Sequence, residues 1–225
     1  MGRFAIYGPT HEVAPNEIGT RRRSVMELAA QKTFLREGDV AKQFFTLYSG
    51  WAIKLKQLPD GRRQILSFLL PGDPIVVESL FVPDFVLPFS IKSLTPISMC
   101  VFSVGDIAAI TQRTPEQSAR LTRTFSDSLA ASNSRALDLG RRSALGRLAN
   151  LILELEERLK RKNMVEDGRF FFPARQEHLA DSLGLTTAHV NRTLDRLRRD
   201  RIIDFNRRHM TVLDMDRLKH VAADD

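Results

Sequence analysis

The chain has a single cysteine, Cys100, and no histidine between His11 and His178. One thiol rules out an intrachain disulfide, a Cys-pair zinc site and a four-Cys iron–sulfur cluster within one chain. The missing histidines remove the side chains with which a β-roll of the cupin type would hold a catalytic metal. They also leave haem only His11 and Cys100 as axial ligands. No apolar run approaches the roughly 18 residues of a spanning helix, and the opening MGRFAIYGPTHEVAPNEIG has no signal-peptide core. A cytoplasmic protein without a membrane partner is expected. Ser-His-Asp, P-loop and dinucleotide fingerprints are absent, so neither catalytic residues nor a cofactor are expected. Cys100, in ISMCVF, reads as a small buried hydrophobe, and burial raises a thiol's pKa and makes it inert.

What is present is length for two cores and a surplus of basic residues. The 225 residues carry 34 Lys and Arg against 27 Asp and Glu, a net charge of +7, which suits an anionic partner without naming it. From Gln31 to Val104 the glycines Gly38, Gly50, Gly61 and Gly72 recur at intervals of eleven or twelve, between short apolar stretches such as FFTLY, WAIKLKQL and QILSFLL. This punctuation predicts a meander of antiparallel strands, with the Asp60-Gly61 pair as its clearest hairpin. From Pro115 to about Leu139 there is no glycine, and Leu121, Phe125, Leu129, Ser132 and Ala136 share one side of a long helix. So thin a stripe suits a seam between two subunits better than a large core, with packing inside one chain as the alternative. Gly140 is expected to interrupt, followed by a second helix over SALGRLANLILELEERLKRK and a loop at NMVEDGR.

The most informative stretch is GLTTAHVNRTLDRLRRDR. It places Arg192, Arg196, Arg198, Arg199 and Arg201 within ten residues, a mutual repulsion that calls for a nearby anion or for solvent. Thr186 can cap this helix, and Val190, Leu194 and Leu197 turn one face inward. Arg192, Asp195 and Arg199 then face outward, flanked by Asn191 and Arg196. Leu179, Ala180 and Leu183 on the preceding helix, with Gly184 at the turn, complete a helix-turn-helix. RIIDF and MTVLD around NRRH predict a small hairpin after it. A guanidinium can bond bidentately to guanine in the major groove while other basic groups neutralise phosphates. Arg192 is placed to reach a base edge, and Arg196, Arg199, Arg207 and Arg208 to meet phosphates.

These residues together resemble the Crp/Fnr family of bacterial transcription regulators over nearly the whole chain. The resemblance rests on the glycine-marked roll with PGD at 71–73, the long helix, ALGRLANLILEL, and above all RQEHLADSLGLTTAHVNRTLDRLRRDRII. It implies an α+β fold: an N-terminal double-stranded β-helix or jelly-roll sensor domain (1–113), a long dimerisation helix (114–139) and a C-terminal winged helix-turn-helix domain (140–225). It further implies a homodimer on a pseudo-palindromic operator in double-stranded DNA, with contacts to RNA polymerase. Gln176 matches the family position that meets a phosphate, and Thr187, Ala188, Asn191 and Arg192 match its base-facing positions. Ala188 stands where most well-known members carry glutamate, which can accept from cytosine N4. That base preference is expected to weaken or to pass to His189 or Asn191.

The sensor departs further. Where cyclic-AMP-binding members carry Gly-Glu and Arg-Ser, this chain has Val76-Val77 and Leu87-Pro88. A buried phosphate without its guanidinium costs several kcal/mol, so cyclic-nucleotide binding is not expected and these four residues are expected to fill the former pocket. Ser132 and Asn133 match the family's nucleobase contacts, with hydrogen bonding at a dimer seam as the preferred alternative. The effector, if any, is left open. The alternative to a regulator that needs no ligand is an effector-gated small-molecule or haem sensor.

Overall fold

The structure, a computed structural model, describes residues 22–223; His11, Arg21 and the last two residues lie outside them. The chain divides into two compact units at Ala130 and Ala131.

Among the described residues the first unit is a roll of eight strands: β1 (Ser24–Leu28), β2 (Thr33–Leu35), β3 (Gln43–Ser49), β4 (Ala52–Gln57), β5 (Arg63–Leu69), β6 (Pro74–Ile75), β7 (Ser90–Ser93) and β8 (Ile97–Ser103). They form two antiparallel sheets, ordered β1-β8-β3-β6 and β2-β7-β4-β5. Both sheets contribute to one core, with Phe45, Leu47, Met99 and Val101 from the first and Ala52, Leu69 and Ile91 from the second. β3 and β8 are buried on both faces. Phe45 and Val101 point into the roll, whereas Phe44, Cys100 and Phe102 point to a second cluster outside it. Successive side chains of a strand take opposite faces, so a strand covered on both sides needs an unbroken apolar run such as FFTLY or ISMCVF. Cys100 is buried there, as expected.

The predicted Asp60-Gly61 hairpin joins β4 to β5, with Gln57 opposite Arg63 and Gly61 at φ 87°. The other turn that demands glycine is Gly50, at φ 82°, where a Cβ would lie 2.2 Å from the carbonyl oxygen of Pro96.

The outer cluster is closed by α1 (Val104–Arg113), which the sequence reading did not anticipate, and by the start of α2 (Pro115–Arg141). Ile107 and Ile110 of α1 pack with Phe44 and Phe102, and Leu121 of α2 joins them. Leu121 is 9% exposed. It therefore packs in its own chain's core, unlike the rest of the stripe expected at a subunit seam. Gly140 does not interrupt the helix: nothing lies within 4 Å of where its Cβ would be, and α2 continues to Arg141. The break comes at Arg142 and Ser143, where the Ser143 hydroxyl accepts from the Gly146 N–H at 3.2 Å and starts α3 (Ala144–Lys160). Satisfying that otherwise orphaned donor is what a helix N-terminus requires.

The second unit is built around α3, which buries Leu148, Leu151, Ile152, Leu155 and Leu159. Around it lie β9 (Arg169–Phe171), α4 (Gln176–Leu183), α5 (Thr187–Arg199), β10 (Ile203–Asn206), β11 (His209–Val212) and α6 (Met215–Ala223). The expected hairpin is β10–β11. β9, which pairs with β11 to give the order β10-β11-β9, and α6 are additions.

Ion pairs fasten the last turns of α2 to α3 within this unit. Arg135 and Arg158 hold Glu154 at 2.8 and 3.0 Å, while Asp138 pairs with Arg142 at 2.9 Å and accepts from the Asn150 amide at 3.2 Å. Burial lifts the Asp138 carboxyl above its ordinary value against the pull of Arg142 and Arg135, with Glu154 adding to the rise. The folded state therefore binds this proton more tightly than the unfolded chain does. The group's contribution to stability is present at low pH and is lost as pH rises from about 3.8 through the raised value. Relative to Asp138→Asn, the wild type is expected to lose stability across that window and to run parallel above it. Urea-unfolding midpoints from pH 3.5 to 7 measure this, and a wild type gaining on the variant as pH rises would contradict it.

Candidate nucleic-acid interface

α4 and α5 form the anticipated helix-turn-helix. Leu179, Ala180 and Leu183 are buried on the first helix, and Val190, Leu194 and Leu197 on the second. Gly184 takes the left-handed conformation, φ 64°, and its N–H returns to the Ala180 carbonyl. Thr186 caps α5, its hydroxyl accepting from the His189 N–H at 3.2 Å. α4 starts with a reciprocal contact of its own: the Arg175 N–H donates to Nδ1 of the buried His178 at 3.0 Å. This local role for His178 is one that nothing in the spacing announced.

Because the apolar face of α5 is fully spent on the core, its other face is left to solvent. Thr186, Thr187, Ala188, His189, Arg192, Arg196 and Arg199 are exposed, as is Gln176 at the first position of α4. Arg192 and Arg196 have no side-chain partner among the described residues. Arg199 makes only a long contact, Nε to the Asp195 carbonyl at 3.4 Å. Asn191 differs from its expected position. It is half-buried, and its Oδ1 is shielded from solvent without a hydrogen-bond partner, which takes the acceptor end of the side chain away from any base edge.

The arginines of this region divide by duty. Arg198 donates to the Phe205 carbonyl and lies over the Phe205 ring, tying α5 to β10. Arg217 likewise donates to the Asp200 carbonyl at 2.8 Å and anchors α6. Arg207 and Arg208 form the exposed two-residue tip of the β10–β11 hairpin. The structure thus presents basic surface on the exposed face of α5 and at the hairpin tip, with the neutral Gln176 exposed at the start of α4, all on one unit.

In the roll, Val76 and Leu87 belong to the inner core and Val77 to the outer cluster, whereas Pro88 is exposed and fills nothing. Val76 is at φ 62°, a left-handed conformation that a β-branched residue rarely adopts. Next to it lies a half-buried ion pair that no motif in the sequence marks, Lys54 to Glu78 at 3.5 Å, with the Lys54 ammonium 4.0 Å from the Phe89 ring centroid. Ser132 and Asn133 are exposed on α2 and fall in the second unit. On the same helix Phe125 and Leu129 are 45% and 56% exposed, and Ala136 is exposed as well. Leu137, which the stripe did not include, is also exposed. Of the basic Arg21–Arg23 run, Arg23 is accounted for by Asp106 at 3.6 Å. Among the described residues no helix is long and apolar enough to cross a membrane.

Residues 25–114 match the family model of the cyclic nucleotide-binding domain, and residues 146–221 that of the Crp-like helix-turn-helix domain. The chain is 32% identical over 193 residues to the transcriptional activatory protein AadR of Rhodopseudomonas palustris, covering 86% of this chain and 79% of that protein. It is 30% identical over 200 residues to the transcriptional activator protein FnrL of Cereibacter sphaeroides, covering 87% and 79%. Among solved structures, FixK2 from Bradyrhizobium japonicum superposes with a TM-score of 0.78 at 23% identity, covering 88% of this chain and 96% of that one.

Proposed function

The chain belongs to the Crp/Fnr family of DNA-binding transcription regulators, and on that premise we propose that it acts as a homodimer on a pseudo-palindromic operator. In this reading α5 enters the major groove. Arg192, with Thr187, Ala188 and His189, faces base edges, while Gln176, Arg196 and Arg199 meet phosphates. Residues 1–113 are the sensor, 114–139 the dimerisation helix and 140–225 the DNA-binding domain. RNA polymerase is the further partner, in keeping with relatives named as activators. The observation that carries the reading is the capped α5, with its apolar face buried and unpaired arginines on the other.

Selection from a randomised duplex pool on the ligand-free protein tests it. A two-fold symmetric site is expected, with half-sites about one helical turn apart. Enrichment of a single asymmetric site would remove the dimer, and salt-sensitive binding without any enriched site would remove autonomous operator recognition. The last result would favour a second reading, in which an effector gates the protein. The Lys54–Glu78 pair beside Val76 and Val77 supports that alternative, because Glu78 Oε2 is shielded and has no hydrogen-bond partner.

Arg199→Ala is expected to weaken binding alike on all duplexes. It should reduce the slope of log K against log salt by about one for each half-site occupied. Titrations on selected and scrambled duplexes between low and moderate salt measure this. A loss confined to the selected site would reassign Arg199 to base reading.

A further inference from the structure

β10 and β11 are joined by two residues only, Arg207 and Arg208, with Asn206 paired to His209 across the ladder. Both are left-handed, at φ 47° and 64°. A two-residue hairpin of this kind needs positive φ at both central positions and is ordinarily filled by Asn-Gly or Asp-Gly. Arginine gains nothing there, because its Cβ crowds the backbone in that conformation.

The strained tip is held in place by its surroundings. The Arg208 carbonyl accepts from the Phe172 N–H at 2.8 Å, and the Arg207 carbonyl lies 3.2 Å from His209 Nδ1. The third strand, β9, pairs with β11, and Phe171 meets the His209 ring edge-on at 5.7 Å. Neither guanidinium has a partner among the described residues, in contrast to Arg198 and Arg217 close by. Backbone strain that returns no side-chain contact, kept by a framework that over-determines it, points to use outside the chain.

Reaching a phosphate does not require this conformation, since an arginine in any loose loop can do so. A tight two-residue turn carrying two adjacent guanidiniums, its backbone fixed by β9, suits a narrower target. The minor groove is about 6 Å wide. It is narrower and more negative in A·T tracts, where inserted arginines are favoured.

We propose that the Arg207–Arg208 tip is a specificity element that inserts into the minor groove beside each half-site and prefers A·T-rich sequence there. This rests on the placement of α5 in the major groove proposed above.

The test uses the full-length protein and duplexes with constant selected half-sites. Their adjoining pairs, outside and in the spacer, are A·T, G·C or inosine·cytosine. Inosine·cytosine keeps the guanine pattern in the major groove and removes the minor-groove amino group. The wild type is expected to bind A·T and inosine·cytosine duplexes about three- to tenfold tighter than G·C ones. The double variant Arg207→Asn/Arg208→Gly suits the turn and is expected to melt at a higher temperature. It should keep the half-site discrimination and lose the flank preference. Equal wild-type affinity on all flanks, inosine·cytosine behaving as G·C, or a variant that keeps the preference would each overturn the inference while leaving the dimeric reader standing. Loss of discrimination between selected and scrambled half-sites in the wild type would overturn both.

Discussion

Arg192→Ala is expected to lower affinity for the selected duplex by about 1–3 kcal/mol per half-site, the usual worth of a bidentate base contact. With two half-sites in a symmetric dimer the total reaches about 2–6 kcal/mol if the two contacts are independent. Binding to scrambled duplex should hardly change. The size of this effect follows from how little else Arg192 does. It is exposed on α5 and has no partner among the described residues, so the fold loses no interaction with it. Alanine is at least as good a helix former as arginine. The melting temperature of the free protein is therefore expected to stay level or rise slightly, which separates a recognition defect from a folding defect. Selection repeated with the variant should show relaxed preference at one base position in each half-site. A loss of equal size on every duplex would place Arg192 among the phosphate contacts instead.

Leu129→Glu carries the other large effect. Leu129 is 56% exposed and Phe125 is 45% exposed on a helix that spends Leu121 on its own core. If the two copies of α2 meet along this stripe, each dimer buries the remaining half of two leucines at this level, about 1–1.5 kcal/mol apiece. The substitution removes that gain. It also brings two carboxylates to the symmetry axis, where neither has a partner and burial of either charge is costly. Sedimentation is expected to find monomers, and the two-fold symmetric site should bind no better than a single half-site. Since the side chain is exposed within one chain, the variant should fold and show the wild-type circular dichroism spectrum. A persistent dimer would place the interface on another surface, with the roll as the next one to examine.

The elements legible in the sequence are those whose evidence is local. Val190, Leu194 and Leu197 at helical spacing, Thr186 before them and Gly184 at the turn settle α5, its cap and its exposed face with no distant contact. Asp60-Gly61 does the same for its hairpin. What stayed hidden depended on partners far along the chain. β9 is three residues long and is a strand only because β11 pairs with it. α1 packs its isoleucines on the outer face of β3 and β8, a face that cannot be inferred until both strands are known to be buried twice. Gly140 looked like an interruption because its helix cost is intrinsic, yet the chain breaks at Arg142 and Ser143, where the Ser143 cap compensates.

Apolar period, turn chemistry and charge are properties of neighbouring residues, so the two-part α+β plan, the helix-turn-helix and the sign of the charge it presents are legible along the chain. Which side chains are free to act depends instead on how distant segments pack. Leu121 goes to the core while Leu129 stays exposed, and Arg198 binds the hairpin while Arg192 is left unpaired. Arg207 and Arg208 are held in a conformation that arginine would not choose. Each of these outcomes is set by contacts between segments distant in the chain, and residues of one type at similar spacing carry no mark of which way such contacts will go.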